Sequence, residues 1–486
     1  YDVDNSTIDI MQYAKFYCLL DVKVLKEGMN QFEHDIAQVF TEYDMLFYGI
    51  HNYLSISSLG YSLAKTYGCF DECFELSGKP QHFISRAVNG GRTMTAENKK
   101  QLVTDSKIQD FDAVSLYPSA MYLMPGIPKG KPKVLTTELI NEIYENPNTN
   151  SLTDYFIEIN IIDIACKSDR DYKFGLLWKQ NEKGSKLYGN EPVSKRVISK
   201  TELLDLLEFY ECKYKITRGY YFDEGYNTLI KEFIKKLFDL RASYKKAGNP
   251  LEKTVKLLLN SIYGKSILKP IDCETKCIHE NRLEKFIYRH YNYIKSMEQS
   301  ENSSNVYIKY IKSINRHFNF PQFGVNVLAY SKHLMNTVMC TAEQANIDIY
   351  YQDTDSIHIK EEDLPLLADR FNEKYNRELI GSNLGQFHSD FDSIASSDQI
   401  KEAASQGIKY QVWSKKLIAL GKKSYLDILE DNLGNIGYHA RMKGVPNQCL
   451  FITADELGIT LEELYMNLYN GKNANIDIKE ISDKIA

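Results

Sequence analysis

The chain has 486 residues, 43% of them hydrophobic and 26% charged, with a formal net charge of −6. That balance fits a globular protein and excludes a low-complexity or fibrous chain, and no apolar run approaches the roughly 18 residues of a membrane-spanning helix. The acidic total weighs weakly against nucleic-acid binding, so the local charge must decide.

The length suggests roughly two to four domains or subdomains. The nine scattered cysteines are odd in number and fit reduced thiols in an intracellular setting better than a disulfide framework.

In chain order, the first 80 residues read as helical, on patterns such as Val22, Val24, Leu25 and Met29. A turn follows at Asn89-Gly90-Gly91, and strand-like runs cover 108–116 and 153–164. Residues 226–247 place Ile230, Phe233, Ile234, Leu237 and Phe238 on one helical stripe, stopped by Gly248-Asn249-Pro250. A second helix covers 251–264. Residues 266–320 read as polar and irregular, with SMEQSENSSN at 296–305 as a flexible tip. Cys273, Cys277 and His279 there have a loose zinc-like spacing, but no second pair lies near. A helix near 324–345 leads into a strand–turn–strand at 346–360, and the end carries helices such as Leu461–Tyr469. Residues 231–256 hold eight Lys/Arg against three acids, and 414–425 hold Lys415, Lys416, Lys422 and Lys423 with no acid. A solvated helix face explains either patch alone.

Three stretches carry chemistry. YYQDTDSIHI, residues 350–359, puts Asp353 and Asp355 at a hairpin tip. Carboxylates that close repel, and a metal ion is the common compensation, although an ordinary Asp-rich turn explains the tip alone. IQDFDAVSLYPS, residues 108–119, ends a β-like run on Asp110 and Asp112 just before a turn whose N–H groups can face an anion. KLLLNSIYGK, residues 256–265, spaces Lys256, Asn260 and Tyr263 on one helix face, a cation, an amide and a ring suited to a nucleotide, and turns Leu258, Leu259 and Ile262 toward a core.

Together these stretches resemble the family B DNA polymerases. Asp112-Ala-Val-Ser-Leu-Tyr-Pro-Ser119 is similar to the family's motif A, Lys256-Leu-Leu-Leu-Asn-Ser-Ile-Tyr-Gly264 to motif B, and Tyr351-Gln-Asp-Thr-Asp-Ser356 to motif C, in the family's order. The resemblance covers about residues 80–450. It implies an α+β right-hand fold of palm sheet, helical fingers and thumb, with a remnant of a 3′–5′ exonuclease domain. It also implies a DNA-directed DNA polymerase that adds dNMP to a primer 3′-OH by two-metal catalysis. On this resemblance Asp112 and Asp355 are the principal ligands of two Mg²⁺ ions, for which Mn²⁺ can substitute; Asp353 supports them and Ala113 lends its backbone carbonyl. Ser115, Leu116 and Tyr117 are expected at the triphosphate and sugar, with Tyr117 excluding a ribose 2′-OH. Lys256 and Arg241 are expected at the triphosphate, and Asn260 and Tyr263 in the nucleotide pocket.

The intervals between motifs, Asp112 to Lys256 and Gly264 to Tyr351, resemble the protein-primed branch of linear plasmids, Maverick-type transposons, virophages and viruses. That branch carries two terminal-protein regions, expected here at about 125–225 and 266–320. Asn89-Gly90-Gly91-Arg92 resembles the family's Tyr-x-Gly-Gly linker, with Val88 in place of the tyrosine. Gly90, Gly91, Arg92, Thr354 and Ser356 are therefore expected at DNA. So are Lys423 and Tyr425, of a Lys-x-Tyr motif, and Lys443 and Gly444 near the thumb. Tyr17-Cys-Leu-Leu-Asp21 resembles the third exonuclease motif, whose partners would lie upstream. The chain is thus expected to be a piece of a longer polymerase, with its exonuclease inactive.

The expected parts are 1–80 exonuclease remnant, 81–225 palm with the first insertion, 226–265 fingers, 266–320 second insertion, 321–440 palm and 441–486 thumb. Expected partners are primer–template DNA, dNTPs and a terminal priming protein, with no membrane, and the chain is expected to be a monomer. A reverse transcriptase or RNA polymerase reading is disfavoured, because Thr354 separates the aspartates and those enzymes lack the Lys256–Gly264 helix pattern. A non-catalytic DNA-binding relic would be expected to lose catalytic residues, and none of the three motifs has lost one.

Overall fold

The computed structural model describes residues 9–41, 49–53, 55–169, 171–182, 184–269, 271–299, 303–313, 317–476 and 478. β-Branched and aromatic residues around the two acidic turns build one antiparallel sheet. Its order is Thr93–Thr95, Ile349–Asp353, Ser356–Lys360, Gln101–Ala113, Val412–Gly421, Ser424–Asp431 and Ile436–Met442, and Phe387–Ser389 also pairs with Gln101–Ala113. The long strand Gln101–Ala113 is the spine. Its far edge is shared by Phe387–Ser389, opposite residues 111–113, and Val412–Gly421, opposite 101–108. Within the pairing with Val412–Gly421 the register shifts between Ser414 and Lys416, and Asp105 on the spine takes a left-handed φ of 57°, the signature of a bulge.

The helices on one face follow from their patterns. Pro321–Gln344 begins with proline in its first turn and is buried along nearly its whole length. Leu116–Leu123, Leu229–Lys246 and Leu251–Ser261 pack beside it. Of the expected stripe, Ile230, Phe233, Ile234 and Leu237 are buried together with Leu258, Leu259 and Ile262, in one core with Phe323 and Ile357, whereas Phe238 is only half-buried. Asn447–Glu456 and Leu461–Tyr469 seal another face, where Leu450, Leu461 and Leu464 meet Ile418, Leu426 and Ile428.

Between the first two motifs lies a separate unit. Its sheet runs Lys133–Val134, Tyr210–Phe222, Asp154–Cys166, Arg196–Ser199. The helix Lys200–Phe209 closes it, started by a reciprocal Ser199–Glu202 cap. A hairpin, Leu177–Gln180 with Lys186–Gly189, projects from it.

The region expected to be irregular is not. Cys273–His279, Asn305–Ile311 and Ile294–Gln299 form a three-stranded sheet beside the helix Glu280–His290. Part of the expected flexible tip, 300–302, lies outside the described residues. Cys273, Cys277 and His279 share one strand, and four residues of strand span about 13 Å, too far for one ion. Among the described residues no three His, Cys, Asp or Glu side chains converge as a metal site, and no helix is long and apolar enough to cross a membrane. At the other end, Ile10–Thr41 is a regular helix that buries only Ile36, Val39 and Phe40; Val22, Val24 and Leu25 are exposed.

Candidate active site

The spine strand brings the two acidic turns together. Asp112 stands opposite Ser356 in the ladder, and the Ala113 N–H donates to the Asp355 carbonyl at 2.8 Å. Thr354 turns the hairpin with a φ of 65°, and its N–H donates to the Arg92 carbonyl at 2.9 Å. A Cβ on Gly91 would lie 2.5 Å from the Thr354 methyl, so only glycine lets the linker pass this close to the turn.

Electrostatics make this floor unusual. Burial first, then the charges of Asp355, Asp390 and Asp110, push the Asp112 carboxyl up to about 8. Burial also raises Asp355, with Asp353 and Asp390 adding to it. One Asp112 oxygen, Oδ1, is buried without a hydrogen-bond partner. A lone buried acceptor among like charges is the donor set a hard divalent cation seeks, so the residues fit the implied Mg²⁺. Because among the described residues no group of three such side chains converges, phosphate, water and main-chain oxygens would have to complete the shell. Asp390 was not foreseen. It follows Phe387–Ser389, whose His388 sits opposite Asp112, and the sequence signal was the unweighed acids of His388-Ser389-Asp390-Phe391-Asp392. Asp353 differs from its neighbours: Lys423 pairs with it at 3.0 Å, and the Thr93 hydroxyl donates to it at 3.1 Å.

Beside the floor lies the expected nucleotide wall. Ser115 takes a φ of 48° at the start of Leu116–Leu123, and Arg241 donates to its hydroxyl at 3.0 Å. Glu252, also unforeseen, accepts from Arg241 Nε at 2.8 Å and aims it. Tyr117 and Tyr263 stack with ring centroids 4.7 Å apart, and burial raises both phenols. Lys256 and Asn260 are exposed on their helix, which ends at Ser261, before Tyr263. Leu116 is turned into the core, so its side chain is not the expected substrate contact.

The expected DNA contacts divide. Gly90, Lys443 and Gly444 are exposed, and Thr354 and Ser356 are half-buried at the hairpin tip. Tyr17 and Asp21 are exposed on the first helix. Two expectations are corrected. Arg92 is buried among protein acceptors rather than turned to solvent. Tyr425 is buried against Tyr351 and His358, because the polar residue of its strand pair, Lys423, takes the exposed turn.

Beneath the floor, His358 lies across from Asp110, and its Nε2–H donates to Asp427 Oδ2 at 3.0 Å. Two strands separate His358 from Asp427 in the sheet order, about 14 Å in a flat sheet, so the sheet must curl strongly here. Burial alone would lower the imidazole, but Asp110 and Asp427 outweigh it and raise His358 to about 9.

The chain is similar to known proteins in sequence and in fold. Residues 1–372 match the family model described as DNA polymerase type B, organellar and viral. A DNA polymerase of Kluyveromyces lactis is 22% identical over 97% of this chain and 42% of its own length. A DNA polymerase of Acidianus bottle-shaped virus is 27% identical over 33% of this chain and 23% of its own length. Among solved structures, Phi29 DNA polymerase complexed with primer-template DNA and incoming nucleotide substrates superposes with a TM-score of 0.54 at 18% identity, covering 85% of this chain and 63% of that one. The chain therefore spans less than half of the Kluyveromyces relative, and its α+β fold is that of the right-hand polymerases. With the family model matched across most of its length, the chain belongs to the organellar and viral type B DNA polymerases.

Proposed function

We propose that this chain carries the polymerising part of a DNA-directed DNA polymerase that extends a primer 3′-OH with dNMP. The observation that carries this reading is the forced approach of Asp112 and Asp355, both raised in pKa, with an unpartnered oxygen between strands. Mg²⁺, when bound, supplies Lewis-acid stabilisation of the attacking and leaving oxygens. Asp112 and Asp355 would hold it. Ser115 and Arg241, with Lys256, stand to orient the triphosphate, and the Tyr117–Tyr263 stack stands to bound the sugar and base.

Primer–template DNA and dNTPs are the proposed substrates. The unit at 133–222 and the small sheet at 273–311, lying between the motifs, favour the protein-primed branch and a terminal protein as partner. The test is extension of a primed DNA template with Mg²⁺ and dNTPs. Extension by the chain and none by Asp355→Asn is the expected result. Equal extension by both would overturn the assignment.

A further inference from the structure

We propose that Arg92 is a positioning residue that sets the catalytic hairpin and ties it to the unit between the first two motifs, an inference that rests on the polymerase reading above.

Its guanidinium is fully enclosed, and burial pushes its pKa down. Each of its edges meets an acceptor. Nε donates to Gln352 Oε1 at 2.6 Å, Nη1 to the Gly175 carbonyl at 2.9 Å and the Phe174 carbonyl at 3.5 Å, and Nη2 to Asn336 Oδ1 at 3.1 Å and Met339 Sδ at 3.1 Å. These acceptors are all neutral. Glu343 opposes the lowering of the Arg92 pKa without outweighing burial, so the enclosed charge still costs folding free energy that an apolar side chain would not, and packing alone gives no reason for it. The planar fork of five donors also cannot be copied by lysine.

The three acceptor groups belong to three parts of the molecule. Gln352 is in the strand that ends at Asp353. Gly175 and Phe174 lie in the unit between the motifs, just ahead of its hairpin Leu177–Gln180. Asn336 is on the long helix, and its amide donates to Asp205 at 2.8 Å, on that unit's helix Lys200–Phe209. The backbone around Arg92 acts on the same hairpin. Gly91 abuts Thr354, the Arg92 carbonyl accepts from the Thr354 N–H, and Thr93 pairs with Asp353 and donates to its carboxylate. Three consecutive residues thus hold the tip on which Asp355 sits, and the Arg92 side chain carries that hold to the neighbouring unit. A displacement of that unit would reach the hairpin through this guanidinium, beside the Lys173–Asp348 pair at 2.7 Å that enters at the start of the same strand.

A cavity of about 60 Å³ adjoins the group, lined by Arg92, Gln352, Thr354 and Trp178 among others. It offers a route for chemical rescue. The experiment measures single-nucleotide addition at saturating dNTP, the dNTP concentration for half-maximal rate, primer–template affinity and thermal melting. Arg92→Ala is expected to lose on the order of 10²-fold in rate, the cost of misplacing a reacting group by about 1 Å, with dNTP and DNA affinity nearly unchanged. Millimolar ethylguanidinium should restore part of that rate. Arg92→Lys should remain slow. Gln352→Met, which cuts only the link to the hairpin, should lose about tenfold, one hydrogen bond to a charged group. Wild-type rates in Arg92→Lys and Gln352→Met would overturn the inference while leaving the polymerase reading intact. So would a loss in Arg92→Ala that follows the unfolded fraction and ignores ethylguanidinium. A wild-type chain that binds DNA and dNTP but adds no nucleotide would overturn both.

Discussion

Two sets of buried carboxylates begin two residues apart on one strand, and their charges are handled in opposite ways. In the lower set, Asp110 and Asp427 flank His358, whose pKa they raise to about 9, so the imidazolium supplies the opposing charge at neutral pH. In the upper set, Asp355 adds to the raising of Asp112, Asp353 and Asp390 add to that of Asp355, and neither Asp112 nor Asp355 forms an ion pair among the described residues. The lower set carries its own cation, although Asp110 Oδ1, His358 Nδ1 and Asp427 Oδ1 are buried without a hydrogen-bond partner among the described residues. The upper one is stable as a charged pair only when something positive is added from outside, which separates a structural ion cluster from a site.

The largest expected effect separates the two sets by sign. Asp112→Asn should reduce extension by about 10³-fold or more, since a ligand of the catalytic cation is lost. The same change should stabilise the metal-free protein by about 1–2 kcal/mol at pH 8, because it removes an ill-tolerated charge. The sign follows from the raised carboxyl: with a folded value of about 8, the native state binds the extra proton, and stability falls as pH rises from about 4 through 8. Melting in EDTA across that range should show a steeper slope in the wild type than in the variant, which keeps the raised carboxyls of Asp355, Asp110 and Asp154.

His358→Gln should do the reverse. It strands Asp110 and Asp427 in the interior, and breaking a buried pair costs about 3–5 kcal/mol. A cost below 1 kcal/mol would erase the proposed difference between the sets. The pH dependence is a finer measure. A histidine raised to about 9 contributes stability that is fully present below its ordinary value near 6.5 and lost as pH rises through 9. The Asp112→Asn background removes the overlapping carboxyl from this window, and adding His358→Gln should reduce the slope that remains, to which His333, also raised, contributes.

How much of this could be read beforehand varies with how local each feature is. The helix expected at 226–247 forms as Leu229–Lys246, and the hairpin expected at 346–360 forms as Ile349–Asp353 and Ser356–Lys360, because apolar spacing and turn chemistry are local. The spine strand starts seven residues ahead of the run seen in the sequence, since Asp105 breaks the alternation at the bulge. The strands at 273–311 were missed because they lie in an exposed sheet, where Lys, Glu and Tyr replace the apolar face that period-two reading relies on. Asp112 and Asp355 were legible from their motifs. Arg92 was misread, because its place after the two glycines of a DNA-contacting linker suggested a DNA contact, and the groups that bury it, Gln352, Gly175 and Asn336, are 83 to 260 positions away.

Asp353 tests the division at its boundary, and there the smallest effect is expected. It sits on the floor with Asp355, yet it has its own cation, Lys423, at 3.0 Å, and that lysine is 56% exposed. If a carboxylate is satisfied by any nearby cation, Lys423→Met should harm it as His358→Gln harms Asp427. If burial of the pair decides, water and salt replace most of what Lys423 gives, and the loss should stay under about 1 kcal/mol and vanish near 1 M salt. Melting of the metal-free variant at low and high salt distinguishes these. A small, salt-erased loss would place Asp353 with ordinary surface pairs and leave Asp112 and Asp355 alone as the carboxylates that require a bound cation. A large, salt-insensitive loss would mean that the floor carries a built-in cation after all, and the contrast between the two sets would fail.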